Sequence, residues 1–314
     1  MAIRVEQKTR ITMATNPIAL QKVSEDGKYR LTVHYDECAD HPLRNCDFPL
    51  HMDDWCRDYS ANPTSGTNRE HYDSREACMR DLVATYGDRK KVLELLKDNG
   101  KKQFHAIDEC ALMYDRSRRA WLLQAWSPGY RHSTWEEKRE PHWDEVECYD
   151  CKEDDLDLYS VAQDLTEETL SDVLTDCMTD EVKVMSYGFH YYGEISFYSR
   201  VDADSEGIAW LVKSEATKDW LTEEQWATKD CYELSEGERE EICAWAEGNV
   251  FWFEVEKAVR WQTHRECLSE EREPEDYEET EWERMDSCGG FYGLDYAVQY
   301  AIECNQLPKM LEAA

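Results

Sequence analysis

The stretch Tyr29-Arg30-Leu31-Thr32-Val33-His34-Tyr35 alternates in character, with Tyr29, Leu31, Val33 and Tyr35 on one face and Arg30, Thr32 and His34 on the other. A period of two predicts a β-strand. Further on the period lengthens. Ser74 through Asn99 reads as helix, because Ser74 can cap it and Ala77, Leu82 and Val83 recur at roughly helical spacing. Val92, Leu93, Leu95 and Leu96 continue after a break at Gly87, and Gly100 ends the element. Ala120 to Trp126 reads as a short buried strand, and Leu165 to Met178 as helix. Val182 to Val201 suits a hairpin turning near Gly193, and Ile208 to Val212 suits a strand. Ser235-Glu236-Gly237-Glu238 matches a capping box that opens a helix to about Glu247. Asn249 to Val259 alternates in part, and Leu294 to Cys304 suits a last helix. The predicted class is α+β, mixing helices with antiparallel sheets in two domains.

The 314 residues carry 36 Lys+Arg against 69 Asp+Glu, a net charge of −33. Same-sign charge repels itself, so burial must drive folding. The chain has the means, with 41% hydrophobic residues, 12 Trp, 18 Tyr and 7 Phe. The charge is unevenly placed along the sequence. Residues 1–135 hold 21 basic and 20 acidic side chains, and residues 136–314 hold 15 and 49. Net charges of +1 and −34 predict a near-neutral N-terminal domain over 1–135, an acidic connector over 136–155 and a strongly acidic domain over 156–314. No repeat of about 20 to 50 residues is visible.

A phosphate backbone would be repelled by this excess, which argues against direct nucleic-acid binding and against an acidic membrane surface. The N-terminus lacks the apolar run of a signal peptide, and every apolar stretch is broken by charge well short of the roughly 20 residues of a span. The expectation is a cytoplasmic chain whose 13 cysteines are mostly free thiols.

Chemistry-bearing patterns are sparse. Cys38-x2-His41-x4-Cys46-x4-His51 has loop lengths resembling a zinc knuckle with rearranged ligand types, and is the alternative site if the chain is a zinc protein or enzyme. Cys148-x2-Cys151 lacks a matching second pair. Asp155-Leu156-Asp157 and Asp202-Ala203-Asp204 have a spacing seen in calcium loops, which chance alone supplies among so many acids. No phosphate loop, nucleophile elbow or His-Glu-x-x-His segment occurs. The chain is therefore read as a non-enzyme without a cofactor.

The densest acidic run lies between Leu268 and Glu283. Its candidate partner-binding residues are Glu270, Glu271, Glu273, Glu275, Asp276, Glu278 and Glu279, relieved by Arg272 alone. Duplex DNA carries one negative charge per roughly 1.7 Å, so about 34 charges match about 17 base pairs. A protein whose groove is lined with Lys and Arg would be attracted to such a field. Trp210, Trp220, Trp226, Trp245, Trp252, Trp261 and Trp282 fall in the same region, most of them expected in the core.

Asp286-Ser287-Cys288-Gly289-Gly290-Phe291-Tyr292-Gly293 resembles a motif of a family of acidic phage and mobile-element proteins, which has Trp where this chain has Gly289. Gly248-Asn249-Val250-Phe251-Trp252-Phe253-Glu254-Val255 resembles the strand that precedes it, and the likeness spans about residues 205–304. The chain is also similar to the anti-Gabija group of phage inhibitors, which bind a bacterial defence complex and block its access to DNA. That resemblance implies a homo-oligomer enclosing its target in the cytoplasm of the infected host, with Cys288, Phe291 and Tyr292 as self-association candidates. A buried turn under the last helix is the plainer expectation for those three.

Overall fold

The computed structural model describes residues 17–45, 49–55, 72–102, 108–127, 130–131, 138–139, 141–190, 194–265 and 275–312. In chain order it begins with β1 (Ile18–Ser24), β2 (Tyr29–Tyr35), α1 (Pro42–Asn45), β3 (Leu50–Asp54), α2 (Arg75–Tyr86) and α3 (Arg89–Asn99). Then come β4 (Cys110–Asp115), β5 (Ala120–Ser127), β6 (Tyr130–Arg131), β7 (Lys138–Arg139), β8 (His142–Tyr149), α4 (Leu158–Gln163) and α5 (Glu167–Asp176). β9 (Val182–Phe189), β10 (Ile195–Tyr198), β11 (Gly207–Val212), α6 (Glu215–Lys218), α7 (Glu223–Thr228), α8 (Cys231–Leu234) and α9 (Glu236–Ala246) follow. The chain closes with β12 (Val250–Arg265), β13 (Glu275–Tyr292), α10 (Leu294–Cys304) and β14 (Met310–Glu312). The strands pair antiparallel and the class is α+β.

Two compact units emerge, and they do not follow the charge step. A terminal unit joins Met1–Asp40 to Ala244–Ala314, and a central unit runs from His41 to Cys243. The terminal unit holds 12 basic and 23 acidic residues, net −11, and the central unit 24 and 46, net −22. Per residue the two are equally acidic. The expected neutral and acidic domains are thereby corrected: the fold puts the near-neutral N-terminal strands into one sheet with the acidic C-terminal ones. The expected connector also gives way, because His142–Tyr149 forms β8 and pairs with β5 from Trp121↔Tyr149 to Ser127↔His142.

The terminal unit is a five-stranded sheet in the order β13-β12-β2-β1-β14. Leu31 and Val33 of β2, Phe251, Phe253 and Val255 of β12, and Phe291 of β13 form its core with Ala297 and Ala301 of α10. The two alanines, four apart, present one face of the helix. Each large apolar side chain so buried contributes about 1.5–3 kcal/mol. The alternate face of β2 is covered as well: His34 stacks on Trp252 with ring centroids 4.2 Å apart, and Gln21 Nε2 donates to Thr32 Oγ1 at 3.1 Å.

The central unit contains a four-stranded sheet, β10-β9-β11-β3, and a three-stranded sheet, β4-β5-β8. Its core draws Met79 and Leu82 from α2, Leu96 from α3, Leu123 from β5, Leu170 from α5 and Ile208 from β11. Ser74 caps α2 by accepting from Ala77 N, and Asp88 caps α3 by accepting from Lys90 N and Lys91 N. The expected capping box at Ser235 is not made. That side chain is buried and its hydroxyl donates to Cys231 O at 2.8 Å, while the boxes that do form are Thr222/Gln225 and Asp230/Glu233. Among the described residues no helix is long and apolar enough to cross a membrane.

Candidate functional site

Acidic side chains are organised at two places, one in each unit. In the terminal unit β12 and β13 form a long hairpin whose register runs from Val250↔Tyr292 to Arg265↔Glu275. β13 is two residues longer than β12, and the ladder absorbs the surplus in two bulges, passing over Gly290 and Met285. Gly290 has φ +81°, left-handed backbone that glycine supplies without strain. Beside it Gly289 lies opposite Trp252, where a Cβ would come within 3.2 Å of the Trp252 Cβ. The motif glycines thus build a bulge that turns Phe291 into the core, against Phe253 at 5.4 Å and Tyr300 at 5.0 Å between centroids.

β2 accompanies β12 only through Lys257↔Tyr29. Among the described residues the hairpin continues from Val259 to Arg265 as a two-stranded ribbon, about 23 Å long at 3.3 Å per residue. Arg30 pins its root, with Nε 2.5 Å from Glu256 Oε2 and the guanidinium 4.6 Å from the Trp282 ring centroid. Of the predicted acidic face, Glu270, Glu271 and Glu273 lie outside the described residues. Glu275, Asp276, Glu278 and Glu279 sit on β13 opposite Arg265, His264, Gln262 and Trp261. Lys257 likewise stands opposite Glu283.

The central unit holds a cleft of about 610 Å³. Six carboxylates line it, Glu109, Glu168, Asp172, Asp202, Asp204 and Glu206, together with Arg200 and His190. Glu168 and Asp172 come from α5, Glu109 from the approach to β4, and the other three from the segment between β10 and β11. That segment is a built turn. Asp204 N donates to Asp202 Oδ1 at 3.0 Å, Ser205 N donates to Asp202 O at 3.1 Å, and Arg75 ties Ser205 O to Glu167. Glu109, Glu168, Asp172, Asp202 and Asp204 make no ion pair among the described residues. Burial pushes the Glu109, Glu168 and Asp172 carboxyls above the usual range. Asp204 and Asp202 push Glu168 further, and Asp176 does the same to Asp172 against the pull of Lys102 and Arg200.

The sequence offers Asp202-Ala203-Asp204 only as a calcium-loop spacing that chance supplies, unconnected with Glu168 and Asp172, some thirty residues earlier. The acidic i, i+2, i+4 run Asp202, Asp204, Glu206 was the available signal. The other pair of this kind is structural, since Asp157 caps α4 by accepting from Tyr159 N and Ser160 N. Among the described residues no group of three or more His, Cys, Asp and Glu is placed to hold a metal ion.

Of the zinc alternative, three residues can be described. Cys38 is exposed, His41 is buried with Nδ1 accepting from Leu43 N at 3.1 Å, and His51 stacks on Trp210 at 5.4 Å. Cys46 lies outside the described residues. Cys148 and Cys151 are free, partly buried thiols. Of the self-association candidates, Cys288 is exposed, Tyr292 is half-buried and Phe291 is interior. Exposed aromatics in that neighbourhood belong instead to α10, at Tyr296 and Tyr300. Trp210 and Trp226 are core as expected, while Trp220 is 59% exposed. A scan against protein-family models, a search of curated proteins and a search of solved structures each return no match for this chain.

Proposed function

We propose that this chain is a phage-encoded, non-catalytic inhibitor of a bacterial DNA-targeting defence system, a Gabija-like nuclease complex, a restriction enzyme or a CRISPR effector. It binds the defence complex in the cytoplasm of the infected host and keeps DNA from its groove. The observation that carries this reading is the six-carboxylate cleft of the central unit. Carboxylates crowded with few cations and partly removed from water gain from any guanidinium or ammonium that enters. Such groups line the grooves that hold DNA phosphates. The net charge of −33 draws a cationic partner from a distance, and the cleft gives its side chains a place to end. The resemblance of Asp286 to Gly293 to the acidic phage family supports the same reading and adds a homo-oligomer as the working form.

The mechanism needs no bond to break. Lys or Arg side chains of the target enter the cleft, where Glu168 and Asp172, whose carboxyls burial raises, gain the cations they lack, and the groove is no longer open to DNA. Purified chain titrated into a DNA-cleaving defence complex is expected to stop cleavage at a fixed stoichiometry. Raising salt from about 50 to about 500 mM is expected to weaken inhibition more than tenfold by screening. Charge reversal at Glu168 and Asp204 (E168K/D204K) is expected to weaken it comparably at low salt. Inhibition that survives both changes would remove the cleft from the mechanism.

A further inference from the structure

Among the described residues one sheet edge is far longer than the rest, the three-stranded sheet ending in β4 with six residues and β8 with eight. β14 ends one side of the five-stranded sheet with three residues, and β10 and β3 end the four-stranded sheet with four and five. β13 ends the other side of the five-stranded sheet with 18. Among the described residues no backbone hydrogen bond from another segment reaches its outer edge. In an antiparallel strand paired on one side, alternate N–H and C=O groups point away from the partner. A long row of them is a template for another strand. Beyond Val259 the ribbon has lost β2 as well, and two strands alone are marginally stable in water. A third strand would complete it.

Charge decides which strand can be added. Between Glu275 and Asp286 β13 carries seven carboxylates against Arg284, and Arg284 Nη2 is already 3.1 Å from Glu254 Oε2. Glu281 and Glu283 are exposed. A second copy of β13 would bring its own carboxylates against these, and like charges directly opposite on neighbouring strands repel. An extended segment rich in Lys and Arg meets them with the opposite sign. We infer that the outer edge of β13 is a strand-addition site for an extended, Lys/Arg-rich segment of a partner protein. Main-chain bonds provide the alignment and the carboxylates choose the occupant. The inference does not depend on the inhibitor reading, because it concerns the other unit and a different kind of contact.

Hydrogen exchange of the full-length chain at about 50 mM salt tests it. The probe is a synthetic peptide of about ten residues alternating Lys with Val. β13 amides between Glu275 and Asp286 are expected to exchange about tenfold more slowly with the peptide than without. A peptide of equal charge with Pro in place of Val loses half of its backbone donors and cannot continue a regular ladder, and is expected to bind about tenfold more weakly. The Glu281→Lys/Glu283→Lys variant, checked for fold by circular dichroism, is expected to lose about tenfold with the Lys-Val peptide. Should it misfold, Glu281→Gln/Glu283→Gln is expected to lose several-fold. Equal binding of the proline peptide would overturn the inference, reducing it to undirected attraction. Unprotected β13 amides would also overturn it, even with nuclease inhibition intact. Protection without inhibition would uphold it and remove the inhibitor reading instead.

Discussion

On the ribbon, Glu283 stands opposite Lys257 and Glu275 opposite Arg265, whereas in the cleft burial pushes Glu168 up and Asp204, Asp202 and Asp172 add to it. At these two positions the first arrangement sets opposite signs across a ladder, and the second gathers six carboxylates beside Arg200 in a concavity. Both began as acidic residues in a chain with almost twice as many acids as bases. Linear density was therefore a poor guide to electrostatic strain. The described part of the densest run is strand, with Arg265 opposite Glu275, while six carboxylates from three separated segments converge in a cleft that Arg200 also lines. The ribbon is an extended edge open to a strand, and the cleft is a pocket open to single cationic side chains.

The largest effect expected on this contrast comes from below the ribbon. Phe253 is fully buried in the terminal unit, against Phe291 and Tyr300. Phe253→Ala is expected to cost about 3–5 kcal/mol through lost burial and the cavity left behind. Amide exchange should rise along β12 and β13 and stay unchanged in α5, the wall of the cleft. An equal rise in α5 would show that the two surfaces stand or fall together.

A smaller change acts at the root. Arg30 joins Glu256 and the Trp282 ring while most of its side chain is shielded from water. Arg30→Ala is expected to cost about 1–2 kcal/mol, summing a cation–π contact and a part-buried ion pair. Exchange should quicken from Val259 to Arg265 and from Glu275 to Trp282, with β2 and α10 unaffected. Uniform loosening of the whole sheet would make Arg30 an ordinary core contact.

Local periodicity was legible wherever one face of an element is buried. Tyr29–Tyr35, Gly207–Val212 and Leu294–Cys304 fall within a residue of their expected limits because Leu31, Ile208 and Ala297 point into a core. β8 was not legible. Its middle four residues, Asp144 to Glu147, are exposed, so no apolar alternation distinguishes an edge strand from a solvated connector. The Ser235 box failed for a competing reason, since the hydroxyl is satisfied by the end of α8 before α9 begins. Unit boundaries were hidden for a third reason: Arg30 and Glu256 pair across 226 positions of sequence, and a composition shift carries no trace of such pairing. The cleft was hidden in the same way. Asp202 and Asp204 could be noticed alone, but their convergence with Glu168 depends on where α5 lies beside the β10–β11 turn.

The smallest effect separates the two acidic regions most directly, through pH. Burial raises the carboxyls of Glu168 and Asp172, and nearby like charges add to it. A carboxyl raised in the folded state binds its proton more tightly folded than unfolded. Its contribution is therefore fully present below the unfolded value and is lost as pH rises through the folded one. At pH 8 both groups oppose folding, and replacing them with neutral isosteres relieves that cost. Glu168→Gln/Asp172→Asn is expected to be more stable than the parent by about 1 kcal/mol at pH 8, a modest figure because both side chains are partly open to screening water. This corresponds to about 2–4 °C in Tm by calorimetry, narrowing to nothing as pH falls below about 4. If the cleft variant melts with its parent at pH 8, its carboxylates are as well solvated as those of β13. Enclosure would then no longer distinguish the two places, and the ribbon edge would be left as the stronger candidate for contact with a cationic partner.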